Sequence, residues 1–221
     1  MELFKNIFRK KQAKSIVETL LDLFYSGKYK ECINVSEKNL SKSDEHRIEI
    51  LRIKGLSNFK IKRFVESREC FKEVAEVTNI KDDWFNLCNS AVRSNELELA
   101  ETAFNNFFDK NTIKGENAML SQPNVLYQYM LALKDIGEYE KAHEQLIRLK
   151  RFYTSLENHG QDYLGQRAVP FIYTTLVTAK DILDNVYDKE QINSWLDDFK
   201  NGVDDYGKES IEEFRDKFYV N

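Results

Sequence analysis

Apolar residues recur along this chain at intervals of three and four, the spacing that gathers side chains on one side of an α-helix. Ile16, Leu20, Leu23 and Phe24 form the first such stripe, and Ser26-Gly27-Lys28-Tyr29 ends it. Cys32, Ile33, Val35 and Leu40 continue from Tyr29 until the polar run Ser41-Lys42-Ser43-Asp44 breaks the pattern. Ile48, Leu51, Gly55, Leu56 and Phe59 come next, then a turn at Lys62-Arg63-Phe64, then Ser67, Phe71, Val74 and Ala75. Trp84, Leu87, Cys88 and Ala91 lead to a turn at Asn95, and Leu97, Ala100, Phe104 and Phe107 follow it. Pro123 suits a first helical turn, where its missing N–H would be unbonded anyway. After it come Leu126, Tyr129, Met130 and Leu133, a turn at Ile136-Gly137-Glu138-Tyr139, and Ala142, Leu146 and Leu149. The pattern predicts four successive helix pairs.

The four turns align. Tyr29, Phe64, Leu97 and Tyr139 each stand two residues after Gly27, Lys62, Asn95 and Gly137, and three residues before the small Cys32, Ser67, Ala100 and Ala142. The intervals are 35, 33 and 42 residues. A polar insertion, Asp109 to Asn117, lengthens the third, either as a helix extension or as a loop before Pro123. Gly55 within a helix costs about 1 kcal/mol relative to alanine. A close approach of two backbones at that point would account for it.

Trp84, Leu87, Cys88, Ala91, Ala100 and Phe104, in that order, resemble the W-x2-L-G-x2-Y…A-x3-F pattern of the tetratricopeptide repeat family, whose period is about 34 residues. The resemblance covers residues 13–153 and departs from the pattern at Lys62, where the turn glycine is missing, and at Asn58, in the place of the usual tyrosine. It implies an all-α fold, a right-handed superhelix of antiparallel helix pairs, with Trp84 buried between pairs. Beyond it, Pro170 opens an amphipathic run through Phe171, Leu176, Ala179, Leu183 and Val186. Runs around Trp195 and Phe214 follow. Residues 154–221 are therefore expected to form a degenerate fifth pair and a capping helix, since a solenoid end needs a polar-faced cap. Residues 1–12 place Leu3, Phe4, Ile7 and Phe8 on one face among Lys5, Arg9, Lys10 and Lys11, an amphipathic segment expected to act as a terminal tail or helix rather than a membrane anchor.

Composition narrows the function. The 221 residues include two prolines and eight glycines, and the formal charge is −4 with both signs interspersed, which argues against a dedicated nucleic-acid surface. Cys32, Cys70 and Cys88 are odd in number and lack metal-site spacing, so they read as buried thiols in a reducing compartment. The N-terminus lacks a secretory core and cleavage site, and no run reaches the roughly 18 apolar residues of a membrane span. A cytoplasmic location is expected.

No motif offers chemistry. His46, His143 and His159 are far apart, Ile147 stands where a zinc-protease helix would carry its second histidine, and phosphate-loop and nucleophile-elbow patterns are missing. His143 follows the inward Ala142 and is expected to point outward. Adjacent acids such as Asp82-Asp83 diverge by about 100° on a helix and do not share a site. We expect no catalysis, no cofactor and no metal. The resemblance implies instead that the first helix of each pair lines a concave groove for a protein or peptide partner. That points to Val17, Leu21, Phe24 and Tyr25 in the first pair, and to Arg52, Leu56, Phe59 and Lys60 in the second. It points to Phe85, Asn89, Val92 and Arg93 in the third, and to Tyr127, Leu131, Lys134 and Asp135 in the fourth. The expected partner-binding set is Arg52, Phe59, Lys60, Phe85, Asn89, Arg93, Tyr127 and Lys134, aromatics for rigid apolar contact and polar groups for peptide bonds. The carboxylate clamp of some family members is not expected: Asn89 matches one slot, but Phe85 stands in place of lysine, and Asn124, Tyr127 and Gln128 supply no cation. A scaffold is the leading reading; a dedicated inhibitor of the immunity or antitoxin type and a regulatory peptide receptor are the alternatives.

Overall fold

The computed structural model describes residues 15–40, 45–115 and 120–220. The amphipathic segment over 1–12, the break at 41–44 and residues 116–117 of the insertion lie outside the described residues. Twelve helices are formed by the described residues: α1 (Ile16–Tyr25), α2 (Tyr29–Leu40), α3 (Arg47–Lys60), α4 (Phe64–Thr78), α5 (Lys81–Arg93), α6 (Leu97–Phe108), α7 (Gln122–Asp135), α8 (Tyr139–Thr154), α9 (Gln161–Gln166), α10 (Ile172–Val186), α11 (Lys189–Asn201) and α12 (Asp205–Phe218). No strand occurs among them, and none of these helices is long and apolar enough to cross a membrane. The fold is an all-α helical repeat of consecutively packed helix pairs, in two compact units, Met1–Asn79 and Ile80–Asn221.

The pairs share one turn. Gly27, Lys62, Asn95 and Gly137 all take left-handed backbone, with φ of 72°, 62°, 62° and 83°. In each turn the next N–H reaches back five residues: Lys28 to Leu23, Arg63 to Asn58, Glu96 to Ala91 and Glu138 to Leu133. This is the Schellman closure, which satisfies carbonyls that a helix end leaves open. The small residues after the turns, Cys32, Ser67, Ala100 and Ala142, are all fully buried. Two of them repeat a further bond: Cys32 Sγ donates to the Leu20 carbonyl and Ser67 Oγ to the Gly55 carbonyl, in both cases twelve residues back.

In the first unit, α1 opens on a capping box, with Ser15 Oγ accepting the Glu18 N–H and the Glu18 carboxylate accepting the Ser15 N–H. Leu20, Cys32, Ile50 and Ile53 form one apolar cluster, and Leu51, Cys70 and Val74 another. Gly55 lies against Phe71 and Cys70; a β-carbon there would stand 3.0 Å from Phe71 Cζ and 3.2 Å from Cys70 Cβ. Arg47 joins α3 to α4 through a two-pronged pair with Glu73, at 2.6 and 3.1 Å.

In the second unit α5 pairs with α6 and α7 with α8, and α5 lies beside α7. Phe104 of α6 stacks on Tyr129 of α7 at 4.4 Å between ring centroids, with the Arg148 guanidinium over the Phe104 ring. The described part of the insertion is a loop, not a helix extension. Ile113 accepts the Lys81 N–H, Thr112 Oγ1 donates to the Asn106 carbonyl, and Gly115 passes so close to Asp82 that a β-carbon would sit 1.7 Å from its Oδ1. Past α8, α10 packs chiefly against α8 and α12 rather than α11. Lys150 of α8 holds α11 by donating to the Trp195 carbonyl and pairing with Asp198, with its ammonium 4.6 Å from the Trp195 ring centre.

Two expectations are corrected. His143 points inward, not outward: it is buried with its ring edge-on to Tyr187 at 4.8 Å, because α10 covers that side of α8. Trp84 is partly exposed rather than enclosed. The three cysteines are free and buried, and burial raises each thiol above its ordinary value, Cys70 to about 11.

Candidate functional site

Helical period groups the predicted side chains into single stripes of α5 and α7, which face one another and α10. On α5 these are Phe85, Asn89 and Arg93, one turn apart. Phe85 is partly buried and its ring lies 6.5 Å from that of Phe107. Asn89 is buried, and its amide is used within the helix: Nδ2 donates to the Phe85 carbonyl and Oδ1 accepts from Arg93 Nη1 at 3.1 Å. Arg93 then reaches across to α7, with Nη2 3.2 Å from Asp135 Oδ2.

The same pattern recurs one helix on. Lys134 of α7 pairs with Asp181 of α10 at 3.8 Å. Tyr127 Oη shares a hydrogen bond of 3.0 Å with Thr178 Oγ1 of α10. Each cation near the C-terminus of one helix thus meets an acid on the next, forming rungs α5–α7 and α7–α10. Partly exposed pairs of this sort contribute about 0.2–1 kcal/mol each. Their larger consequence is electrostatic, since Arg93 and Lys134 arrive at this face already neutralised.

At the other end of the face, where α7 and α10 begin, there is a cavity of about 310 Å³. Asn124 and Tyr127 line it from α7, Thr174 from α10, and the connecting segment supplies Gly165, Ala168, Val169, Pro170 and Phe171. Its wall is fixed by two hydrogen bonds. Ser121 Oγ, which also caps α7, donates to the Ala168 carbonyl at 2.6 Å, and Tyr153 Oη donates to the Pro170 carbonyl at 2.7 Å. Ala168 is left-handed at φ 51°, a conformation that costs a residue with a β-carbon about 1–2 kcal/mol. Phe171 is 39% exposed beside the opening, and a β-carbon on Gly165 would meet nothing within 4 Å.

The predicted residues therefore fall into two groups. Phe85, Asn89, Arg93, Tyr127 and Lys134 share the α5–α7 side of the second unit. Arg52, Phe59 and Lys60 lie on α3 of the first unit, where Arg52 and Phe59 are partly buried, Lys60 is exposed, and Phe59 packs edge-on to Phe64 at 5.3 Å. Sequence reasoning missed the contribution of α10 and its leading segment. Pro170 marked the start of an amphipathic run, but Phe171, counted among its apolar positions, is exposed. Thr174, Thr178 and Asp181 carried a recoverable signal: they occupy the stripe of α10 opposite its buried Leu176, Ala179 and Leu183. Among the described residues no group of three or more histidine, cysteine or carboxylate side chains is arranged to hold a metal. No protein-family model, no curated protein and no solved structure matches the chain.

Proposed function

We propose that this chain is a tetratricopeptide-type binding protein of the cytoplasm that receives an extended segment of a partner protein on the α5–α7–α10 side of its second unit. Binding, not catalysis, is its activity. The family reading is supported by the four identical left-handed turns and the buried small residue after each. The site reading rests on one observation, the preformed cavity beside Tyr127, walled by Pro170 and Phe171. An open hollow of that volume has room for an apolar side chain together with neighbouring backbone, and a wall held by two hydrogen bonds limits the ordering cost of binding. Tyr127, Asn124 and Thr174 add hydroxyl and amide groups that suit peptide bonds. Because Arg93 and Lys134 are paired with Asp135 and Asp181, affinity comes from the apolar anchor rather than from a carboxylate.

A random-peptide display selection tests this. Enriched sequences are expected to share one large aliphatic or aromatic residue. Gly165→Leu, which extends a side chain into open space at the cavity, is expected to lower their affinity at least about tenfold, or about 1.4 kcal/mol, without lowering the melting temperature. Peptides that bind the variant as tightly as the original chain would defeat the proposal.

A further inference from the structure

The short helix α9 borders two hollows. Gly165 lines the cavity beside Tyr127, while Gln166, the next residue, lines a second hollow of about 620 Å³ that shares no residue with the first. The second lies between α9, the loop before it and the first turn of α12, all within the second unit. Gln161, Asp162, Tyr163 and Gln166 of α9, Asn158 of the loop and Tyr206 of α12 line it. Asp162 and Gln166 stand one turn apart, opposite the buried Leu164 of the same helix.

Asp204 holds the frame. Its Oδ1 caps α12 by accepting the Gly207 N–H, and its Oδ2 accepts the His159 N–H, both at 2.9 Å, which ties the start of α12 to the loop that carries Asn158. The Arg167 guanidinium lies 3.7 Å from the centre of the Tyr163 ring and covers one face of it. Asn158 Oδ1 accepts the Gly160 N–H at 2.8 Å, so this amide offers its NH2 end to a ligand. Gln161, Asp162 and Gln166 are exposed, and Tyr206 is 65% exposed.

The lining decides the class of ligand. It contains no aliphatic side chain, so an apolar anchor seated there would leave three amides and a carboxylate without partners. Among the described residues no lysine, arginine or histidine lines it, so an anion would meet the repulsion of Asp162 with nothing to offset it. A cation would find one exposed carboxylate, beside a tyrosine that already carries the Arg167 charge on its ring. A neutral ligand dense in hydroxyl groups fits all of these groups. Each hydroxyl both donates and accepts, so it gives its proton to the carboxylate or to an amide oxygen and accepts from an amide NH2. The bond to the carboxylate is the stronger kind. The Tyr206 ring adds a π face, negative at its centre, on which the C–H groups of a saturated ring can pack.

We infer that the hollow between α9 and α12 binds a neutral saccharide of one or two rings: Asp162 and the Asn158, Gln161 and Gln166 amides bond its hydroxyls, and Tyr206 packs against its ring. The site stands apart from the peptide-binding reading, since the two hollows share no lining residue.

Proton–nitrogen spectra of the complete chain test it, with glucose, galactose, mannose, N-acetylglucosamine, maltose and cellobiose added singly. At least one of these is expected to bind saturably, with a Kd of about 1 mM. The signals expected to move are the side-chain amides of Asn158, Gln161 and Gln166 and the backbone of Asp162 and Tyr206, while Phe171 and Thr174, at the other cavity, stay still. Asp162→Ala removes a charged acceptor and is expected to weaken the binding about tenfold. Tyr206→Ala is expected to weaken it about fivefold. Both side chains are exposed, so neither change is expected to lower the melting temperature, and Gln166→Ala serves if either variant fails to fold. Lack of saturable binding by every one of these sugars would overturn the assignment, as would binding that the variants leave intact. Tetramethylammonium chloride or sodium phosphate moving the same signals in place of a sugar would overturn it too, by showing recognition of charge.

Discussion

Gly55 sits where α3 passes Phe71 with no space for a methyl group. Alanine would gain about 1 kcal/mol in helix propensity but would press on a side chain that is itself 1% exposed. Overpacking of that sort costs typically 1–3 kcal/mol, so Gly55→Ala is expected to be destabilising by about 1 kcal/mol net in urea unfolding, against the propensity trend. His143 gives a pH test. Burial makes its charged form unfavourable and lowers its ionisation below the ordinary histidine value, although Glu140 and Glu144 pull the other way. The unfolded chain then binds the proton more readily than the folded one. The contribution of the neutral ring is complete above about pH 6.5 and is lost as pH falls towards the lower folded value. Melting temperatures of the chain and of His143→Phe, compared between about pH 7.5 and about pH 5, are expected to show a smaller acid-side drop for the variant. Equal drops would assign the loss to other groups. Trp84, partly exposed, is expected to cost less on truncation to alanine than the about 3–5 kcal/mol of a fully enclosed aromatic.

The elements owe their regularity to one turn used four times. Two copies carry glycine and two carry Lys62 and Asn95 in the same left-handed backbone. A β-carbon costs about 1–2 kcal/mol there, partly offset by the greater freedom glycine has when unfolded. Gly137→Ala is therefore expected to destabilise by about 1 kcal/mol, and Lys62→Gly to stabilise by about 0.5–1 kcal/mol, in denaturant unfolding. Failure of the two to move in opposite directions would mean that the turns are not equivalent. These pairs were legible in the sequence because the spacing of Gly27, Lys62, Asn95 and Gly137 against the next small residue repeats. The segment between α8 and α10 was not. Ala168 repeats the left-handed closure, with the Val169 N–H on the Leu164 carbonyl, but alanine does not announce that backbone and the helix resumes later, at Ile172. Since that segment walls the cavity, the part of the candidate site it builds was hidden, whereas Tyr127 and Arg93 could be placed from helical period alone. Their pairing with Thr178 and Asp135 depended on which helix lies alongside, which periodicity does not state.

For the molecule as a whole, the two units divide the predicted groove residues, with Arg52, Phe59 and Lys60 in one and the cavity beside Tyr127 in the other. The ion-pair rungs belong to the second unit and make a charge-independent prediction. Because Arg93 and Lys134 are already paired, peptide affinity is expected to change by less than about threefold across the salt range in which exposed charges become screened. A steep fall with salt would indicate recognition through charge. We propose that the partner segment anchors in the cavity walled by Pro170 and Phe171. Backbone chemical-shift mapping of the complete chain with a display-selected peptide tests it most directly. The largest changes are expected at Tyr127, Gly165, Ala168, Phe171 and Thr174; saturable binding with those signals unmoved and the changes elsewhere would contradict an anchor there.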